Sequence, residues 1–252
     1  MILLFTDFGP TGPYTGQMIA ALHKTAPDVP AVDLINDVPA FDPQAAAYLL
    51  AALIEDFPDQ SIFLCVVDPG VGSDRHPIVV KTASHWFVGP DNGIFDIVIR
   101  RSDVEEVSAW QITYEPERLS ASFHGRDLFA PVAARIALGL PVPGERIMIS
   151  DLHITGWPDD LARIIYVDHF GNAITGIRAK TIPPDASLTC SDYTMSHARV
   201  FSEVENGALF WYENANGLAE IAVNQGRADE FGFTTGMPVT VISPNRAERQ
   251  VF

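Results

Sequence analysis

The sequence predicts an α/β fold: a Rossmann-like N-terminal α/β domain over residues 1–150, followed by a smaller all-β domain over residues 155–252. Three observations lead there. Short apolar runs alternate with helical patterns as far as about residue 140, the signature of βαβ units and a mostly parallel sheet. The stretch Leu140-Pro141-Val142-Pro143-Gly144-Glu145 interrupts that rhythm, and short strand patterns follow it. Finally, residues 61–67 are apolar enough for a buried strand. They empty into Asp68-Pro69-Gly70-Val71-Gly72-Ser73-Asp74-Arg75, a glycine-rich turn carrying a carboxylate and a guanidinium. Ligands of open α/β sheets sit beyond the carboxyl ends of the strands, so Asp68 and Arg75 are the first residues to weigh.

The elements follow in order. Residues 2–6 read as the first strand, since the opening has no basic leader, long apolar core or small-residue cleavage site. Residues 14–24 carry a helical pattern and 31–35 a strand; 43–57 form an amphipathic helix with Ala46, Leu49, Leu50 and Leu53 on its apolar positions. Residues 78–81 and 86–88 read as a hairpin and 94–100 as a short helix. A helix over 127–138 is capped by Asp127 and stopped by Gly139, with Pro131 in its first turns where little hydrogen bonding is lost. The second domain offers strands at 162–167, 173–177, 208–212, 218–223 and 238–242.

Charge and composition exclude several function classes. The net charge of −16 argues against nucleic-acid or acidic-membrane binding, which need a basic face. No segment reads as membrane-spanning. Cys65 and Cys190 make neither a disulfide framework nor a zinc spacing, so a reducing cytoplasm is the expected location. His23, His76, His85, His153, His169 and His197 lack metal-ligand spacing, and no metal site is expected.

Four clusters combine turn residues with polar groups: Thr6-Asp7-Phe8-Gly9, Asp68 to Arg75, Gly89-Pro90-Asp91-Asn92-Gly93, and Ser122-Phe123-His124-Gly125-Arg126-Asp127. Any one of them has a turn-forming explanation, because Asp and Asn beside Gly make turns. Three of the four follow strands, which places them on one side of one sheet. Gly70 and Gly72 allow close backbone approach to a ligand, but the lysine and Ser/Thr of a phosphate loop are missing, as is a G-x-G-x-x-G fingerprint.

At these clusters the sequence resembles the S-adenosyl-L-methionine hydroxide adenosyltransferase family, relatives of the fluorinase and chlorinase. The resemblance also takes in Tyr14 and Gly16, Leu128-Phe129-Ala130-Pro131, Asp168 with Phe170-Gly171-Asn172, and Glu220-Ile221-Ala222-Val223-Asn224. It implies an N-terminal α/β domain, a barrel-like C-terminal domain, and a homotrimer with active sites between one subunit's N-terminal domain and its neighbour's C-terminal domain. The implied activity is hydrolysis of S-adenosyl-L-methionine to adenosine and L-methionine, the substrate being a small molecule and no cofactor being needed. Asp68, Arg75 and His124 match the family's water-placing set. By the same resemblance Asp7 bonds the ribose hydroxyls, Asp168 meets the methionine amine, Asn172 belongs to the adenosyl pocket, and Phe201 is an adenine-stacking ring.

The chemistry suits those residue types. A sulfonium is already a cationic leaving group, so displacement at the 5′ carbon needs an aimed nucleophile rather than an acid or a metal. Asp68 and His124 can accept water protons, and Arg75 can fix Asp68 or stabilise hydroxide. Two departures from the family pattern, Gly12 before the first helix and Ala215 in Asn214-Ala215-Asn216-Gly217, bear on the amino-acid end of the substrate. They are the best support for the alternative of a non-catalytic adenosine-binding or sensing module, against which stand Asp68, Arg75 and His124 together, a set that a binding protein does not need. A halogenase is disfavoured by Asp68, whose carboxylate would repel a halide in the same pocket.

Overall fold

Each strand of the first sheet is a run of about five residues. In chain order the elements are β1 (Ile2–Thr6), α1 (Tyr14–Thr25), β2 (Ala31–Ile35), α2 (Pro43–Leu53), β3 (Ile62–Val66), β4 (Pro77–Lys81), β5 (Trp86–Pro90), α3 (Asp96–Arg101), β6 (Ser108–Ile112), α4 (Ala130–Ala137) and β7 (Gly144–Ile147). The computed structural model describes residues 1–153 and 155–243, and the chain divides into two compact units, one from Met1 to Gly156 and one beginning at Trp157.

The seven strands of the first unit lie in the order β2-β1-β3-β5-β4-β6-β7. The first four are mutually parallel, and β4, β6 and β7 extend the sheet antiparallel. β1 and β3 are buried at every position, as strands covered on both faces must be. Ile2, Leu4, Ile62, Leu64 and Val66 share one core with Met18 and Leu22 of α1 and Val132, Ala133 and Ile136 of α4. The alternate residues Leu3, Phe5, Phe63 and Cys65 are equally buried on the other face. β2 lies on one side of β1 and β3 on the other, so the chain reverses direction across the sheet between β1 and β3. Such a switch point leaves a crevice at the strands' carboxyl ends.

Differences from the sequence expectations have local causes. The second helix ends at Leu53 and tightens into a 3-10 turn, Ile54–Asp56, where Glu55 and Asp56 leave the apolar pattern. The helix expected from Asp127 begins as a π-helical turn over Gly125–Phe129 and becomes α-helical at Ala130. Asp127 is therefore not its cap; its carboxylate accepts from Ser120 N–H (2.8 Å) and from Arg126. The Pro-rich stretch near 140 leads into the edge strand β7.

The second unit is all-β, with β8 (Leu161–Val167), β9 (Ala173–Arg178), β10 (Ser187–Cys190), β11 (Tyr193–His197), β12 (Leu209–Glu213), β13 (Leu218–Val223) and β14 (Thr240–Ile242) in the order β14-β10-β11-β12-β13-β9-β8. The sheet closes on itself just before β14: Ile164 N–H donates to Met237 O (2.9 Å), Val239 N–H to Ala162 O (2.9 Å) and Gly236 N–H to Ile164 O (2.8 Å). Closure removes the exposed edges and gives the barrel a core of Ile164, Leu188, Met195, Trp211, Ile221 and Phe233. The Trp211 indole N–H is satisfied inside by Ala186 O (3.1 Å).

Candidate active site

The turn after β3 and the segment before α4 meet beyond the switch point. Within the turn, Gly72 has φ +79°, and a Cβ there would lie 2.8 Å from Ala121 O, so only glycine lets the turn pass this close to the second segment. Asn92 braces the strand end, donating from Nδ2 to Val67 O (2.9 Å). Gly125 plays the matching part opposite: an added Cβ would come within 3.1 Å of Met18 Sδ and 3.4 Å of Val66. The π turn that starts there widens the helix by one residue, a device that re-aims side chains at functional sites.

The result is a wired set. Arg75 Nε donates to Asp68 Oδ1 (3.0 Å), and its Nη2 reaches both Asp68 Oδ2 and His124 Nδ1, the latter at 2.9 Å. The guanidinium also stands over the Phe129 ring, 5.2 Å from its centroid. The Arg75 and Asp68 side chains are 9% and 4% exposed, so this pair is little screened by solvent. A guanidinium cannot accept a hydrogen bond, so His124 Nδ1 must be the acceptor and a neutral ring carries its proton on Nε2. Burial, and then the charge of Arg75, lower the His124 pKa below the ordinary imidazole value, which keeps that ring neutral.

A crevice of about 660 Å³ opens over this set, lined by Asp7, Phe8, Tyr14, Phe41, Asp68, Phe123, His124 and Arg126 among others. Asp7 follows β1 as Asp68 follows β3, so both carboxylates stand at the switch point. Asp7 Oδ2 accepts from Phe41 N–H (3.0 Å); burial raises its pKa, the Phe41 bond opposes this, and the Asp68 charge adds to the rise. Phe41 itself has φ +61° and is 76% exposed, a strained setting for an aromatic residue at a pocket rim. Phe8, Tyr14 and Phe123 form a triangle of tilted and edge-on rings with centroids 5.6 to 5.8 Å apart.

The second unit carries its own pocket, about 720 Å³, lined by Asp168, Phe170, Asn172, Phe201, Tyr212, Asn214, Ala215 and Glu220 among others. Asp168 Oδ1 accepts from Asn172 N–H (2.8 Å) across the tight β8–β9 turn. Phe201 packs edge-on against Phe210 (5.0 Å) and against Tyr212 (5.3 Å). The seven residues singled out from sequence thus fall into two sets, Asp7, Asp68, Arg75 and His124 in one unit and Asp168, Asn172 and Phe201 in the other. Among the described residues no group of three or more His, Cys, Asp or Glu side chains is arranged to hold a metal ion.

Comparison with known proteins fits this division. Models of the SAM hydroxide adenosyltransferase N-terminal and C-terminal domains match residues 2–144 and 162–240. The chain belongs to the SAM hydroxide adenosyltransferase family. It is 35% identical to a protein of Thermus thermophilus named (R)-S-adenosyl-L-methionine hydrolase, across 96% of this chain and 99% of that one. A protein of Salinispora arenicola with the same name is 35% identical across 88% and 90% of the two chains. A fluorinase of Nocardia brasiliensis stands further off, at 22% identity over 70% of this chain and 71% of its own. Among solved structures, an uncharacterized conserved protein of Thermotoga maritima superposes with a TM-score of 0.85 at 30% identity, covering 96% of this chain and 100% of that one.

Sequence reasoning gave no role to Phe41, Phe170, Tyr212 or Glu220, all of which line the two pockets. For Glu220 a signal existed: it is the one carboxylate in the otherwise apolar run Leu218–Val223, opposite Tyr212 in the β12–β13 register.

Proposed function

We propose that this chain hydrolyses S-adenosyl-L-methionine to adenosine and L-methionine by attack of water at the 5′ carbon. The observation that carries the reading is the hydrogen-bonded Asp68–Arg75–His124 set at the switch-point crevice, in a chain whose full-length relatives are named as hydrolases of that substrate. The relatives' name specifies the (R) sulfonium epimer, and we assign the same epimer here.

In the step, the water oxygen bonds to the 5′ carbon as the carbon–sulfur bond breaks. The bonding pair moves to sulfur, which leaves as the neutral thioether of methionine. One water proton must go. His124 holds its proton on Nε2, so in this tautomer it donates to the nucleophile and orients it. Asp68 is then the proton acceptor: Arg75 takes two of its lone-pair positions and leaves others free for water. Holding water in line with the scissile bond contributes several kcal/mol through lost orientational freedom that need not be lost again at the transition state, on the order of 7 kcal/mol in favourable cases.

Asp7 takes the ribose hydroxyls, Phe201 the adenine, Asn172 the adenosyl pocket and Asp168 the ligand's amine. The working form is a cytoplasmic homotrimer in which the crevice of one subunit is completed by the barrel of its neighbour, and no cofactor takes part. The test is incubation of the purified protein with the (R) epimer in water enriched in heavy oxygen. Labelled adenosine is expected; unlabelled adenosine, or none, overturns the reading.

A further inference from the structure

The barrel pocket holds a buried carboxylate, Glu220, that no cation among the described residues pairs directly. Glu220 sits mid-strand in β13, is 4% exposed, and still lines the cavity. Its oxygens meet only neutral donors: Tyr212 OH at 2.5 Å, Asn214 Nδ2 at 2.8 Å, and the Asn172 amide. Among the described residues no lysine, arginine or histidine stands within ion-pair distance of it. The side chain of Asp168, on the same cavity, accepts hydrogen bonds from Asn172 alone among the described residues, and the charge of Arg227 acts on it only at longer range. Among the described residues Arg227 is the one cation on the pocket wall, and it is committed through Nε and Nη2 to Asp229 (3.0 and 2.7 Å) and through Nη1 to His169 O (2.9 Å).

The donors are not free to turn away. Asn214 Oδ1 accepts from both Asn216 N–H and Leu218 N–H (3.0 Å each), which obliges its Nδ2 to face Glu220. Glu220 therefore fixes the tip of the β12–β13 loop, where Ala215 and Asn216 line the cavity. Neutral donors can satisfy a carboxylate's lone pairs but leave its charge, and burying an unbalanced charge is costly.

We propose that Glu220 is the second carboxylate of an amine subsite: together with Asp168 it selects a ligand by the ammonium of its amino-acid end, and it holds Tyr212 and Asn214 around that ammonium and Asn172 at the adenosyl side of the pocket. This rests on the hydrolase reading above for the identity of the ligand. Glu220 is a positioning residue, since it acts through its three donors and its field rather than on the reacting atoms.

The titration behaviour agrees. Burial raises the Glu220 pKa and the Asp168 charge adds to it, against the bonds from Tyr212, Asn214 and Asn172. The charged or titratable groups facing it are Asp168 from the β8–β9 turn, Tyr212 from β12 and Arg227 beyond β13. Burial and Glu220 itself push the Tyr212 phenol up, so it remains a donor at neutral pH. As pH falls through the raised value, Glu220 takes a proton and its pull on an ammonium is lost.

The experiment compares KM and kcat for S-adenosyl-L-methionine and for its analogue lacking the amino group, in the wild type and in Glu220→Gln. For the amine-bearing substrate we expect KM to rise about ten-fold in the variant with kcat nearly unchanged, as when a charge-assisted contact is lost. For the analogue KM should not move, and Glu220→Asp should restore part of the loss. Equal rises for both substrates, or no rise, would assign Glu220 a structural role only and overturn the proposal. Should the variant fail to fold, the wild type decides: the ratio of the two KM values must climb as pH is lowered from neutrality through the raised Glu220 value, and a ratio that stays flat down to the ordinary carboxylate range overturns the proposal. If the wild type releases no adenosine, the hydrolase reading fails separately. The same ratios, taken as dissociation constants by calorimetry, then still judge Glu220.

Discussion

In the α/β unit the carboxylate after β3 is held by a cation through two bonds, and the histidine beside it is fixed in one tautomer by that same cation. In the barrel unit the side-chain oxygens of Asp168 and Glu220 accept hydrogen bonds, among the described residues, only from amides and a phenol. A carboxylate already neutralised by its own protein gains little from a cationic ligand, but its geometry is set before any ligand arrives. A carboxylate surrounded by neutral donors is the reverse: its position is defined and its charge awaits a partner. Under the proposed function this difference is a division of labour, preorganised chemistry in one unit and charge-selective recognition in the other.

The largest expected effect breaks that comparison at its catalytic end. Asp68→Asn keeps the shape of the side chain and removes the charge that we propose accepts the proton. We expect kcat to fall on the order of 10³-fold, while the affinity for adenosine, measured by calorimetry, stays within a few-fold. A variant that binds poorly but turns over normally would place Asp68 in recognition instead. A smaller effect is expected at the other end. Asp168→Asn should raise KM for S-adenosyl-L-methionine by about ten-fold or more with kcat little changed, the pattern of a lost ground-state contact. A kcat defect of the same size would erase the distinction between the two pockets.

Much of this was legible in the sequence because buried parallel strands write themselves as continuous apolar runs, and turns write themselves in Gly, Asp and Asn. Residues 2–6 and 61–67, and the turns that follow them, are of that kind. β10 and β11 were not legible. In the strand Tyr193–His197 only Met195 is fully buried, so the outward residues look like loop. The edge strand Gly144–Ile147 has no buried residue at all, and pairing with β6 alone makes it a strand. In the candidate site, short-range motifs marked Asp68, Arg75 and His124, whereas Phe41 owes its place to a left-handed backbone and a bond to Asp7, 34 positions away. The π turn after His124 has no sequence marker, and neither has the close approach of its first residue, Gly125, to Met18 and Val66, which are distant in the chain.

A milder effect is expected from pH, acting on the fixed histidine of the α/β pocket. Protonating His124 Nδ1 would set a proton against the Arg75 guanidinium 2.9 Å away, and burial opposes the same protonation. The folded protein therefore binds this proton less readily than the unfolded chain. The His124 contribution to stability is therefore intact above the ordinary imidazole value and is lost as pH falls from there through the lowered folded value. For activity, an unperturbed imidazole would already cost about two-fold at pH 6.5. We expect less than that between about pH 8 and 6.5, with the acid limb of kcat displaced below the ordinary histidine range. Nitrogen-15 spectra of the imidazole should place the proton on Nε2 throughout the flat region. An acid limb at 6.5 or above, or a proton found on Nδ1, would mean that Arg75 does not fix the ring, and the α/β pocket would lose the preorganisation that sets it apart from the barrel's.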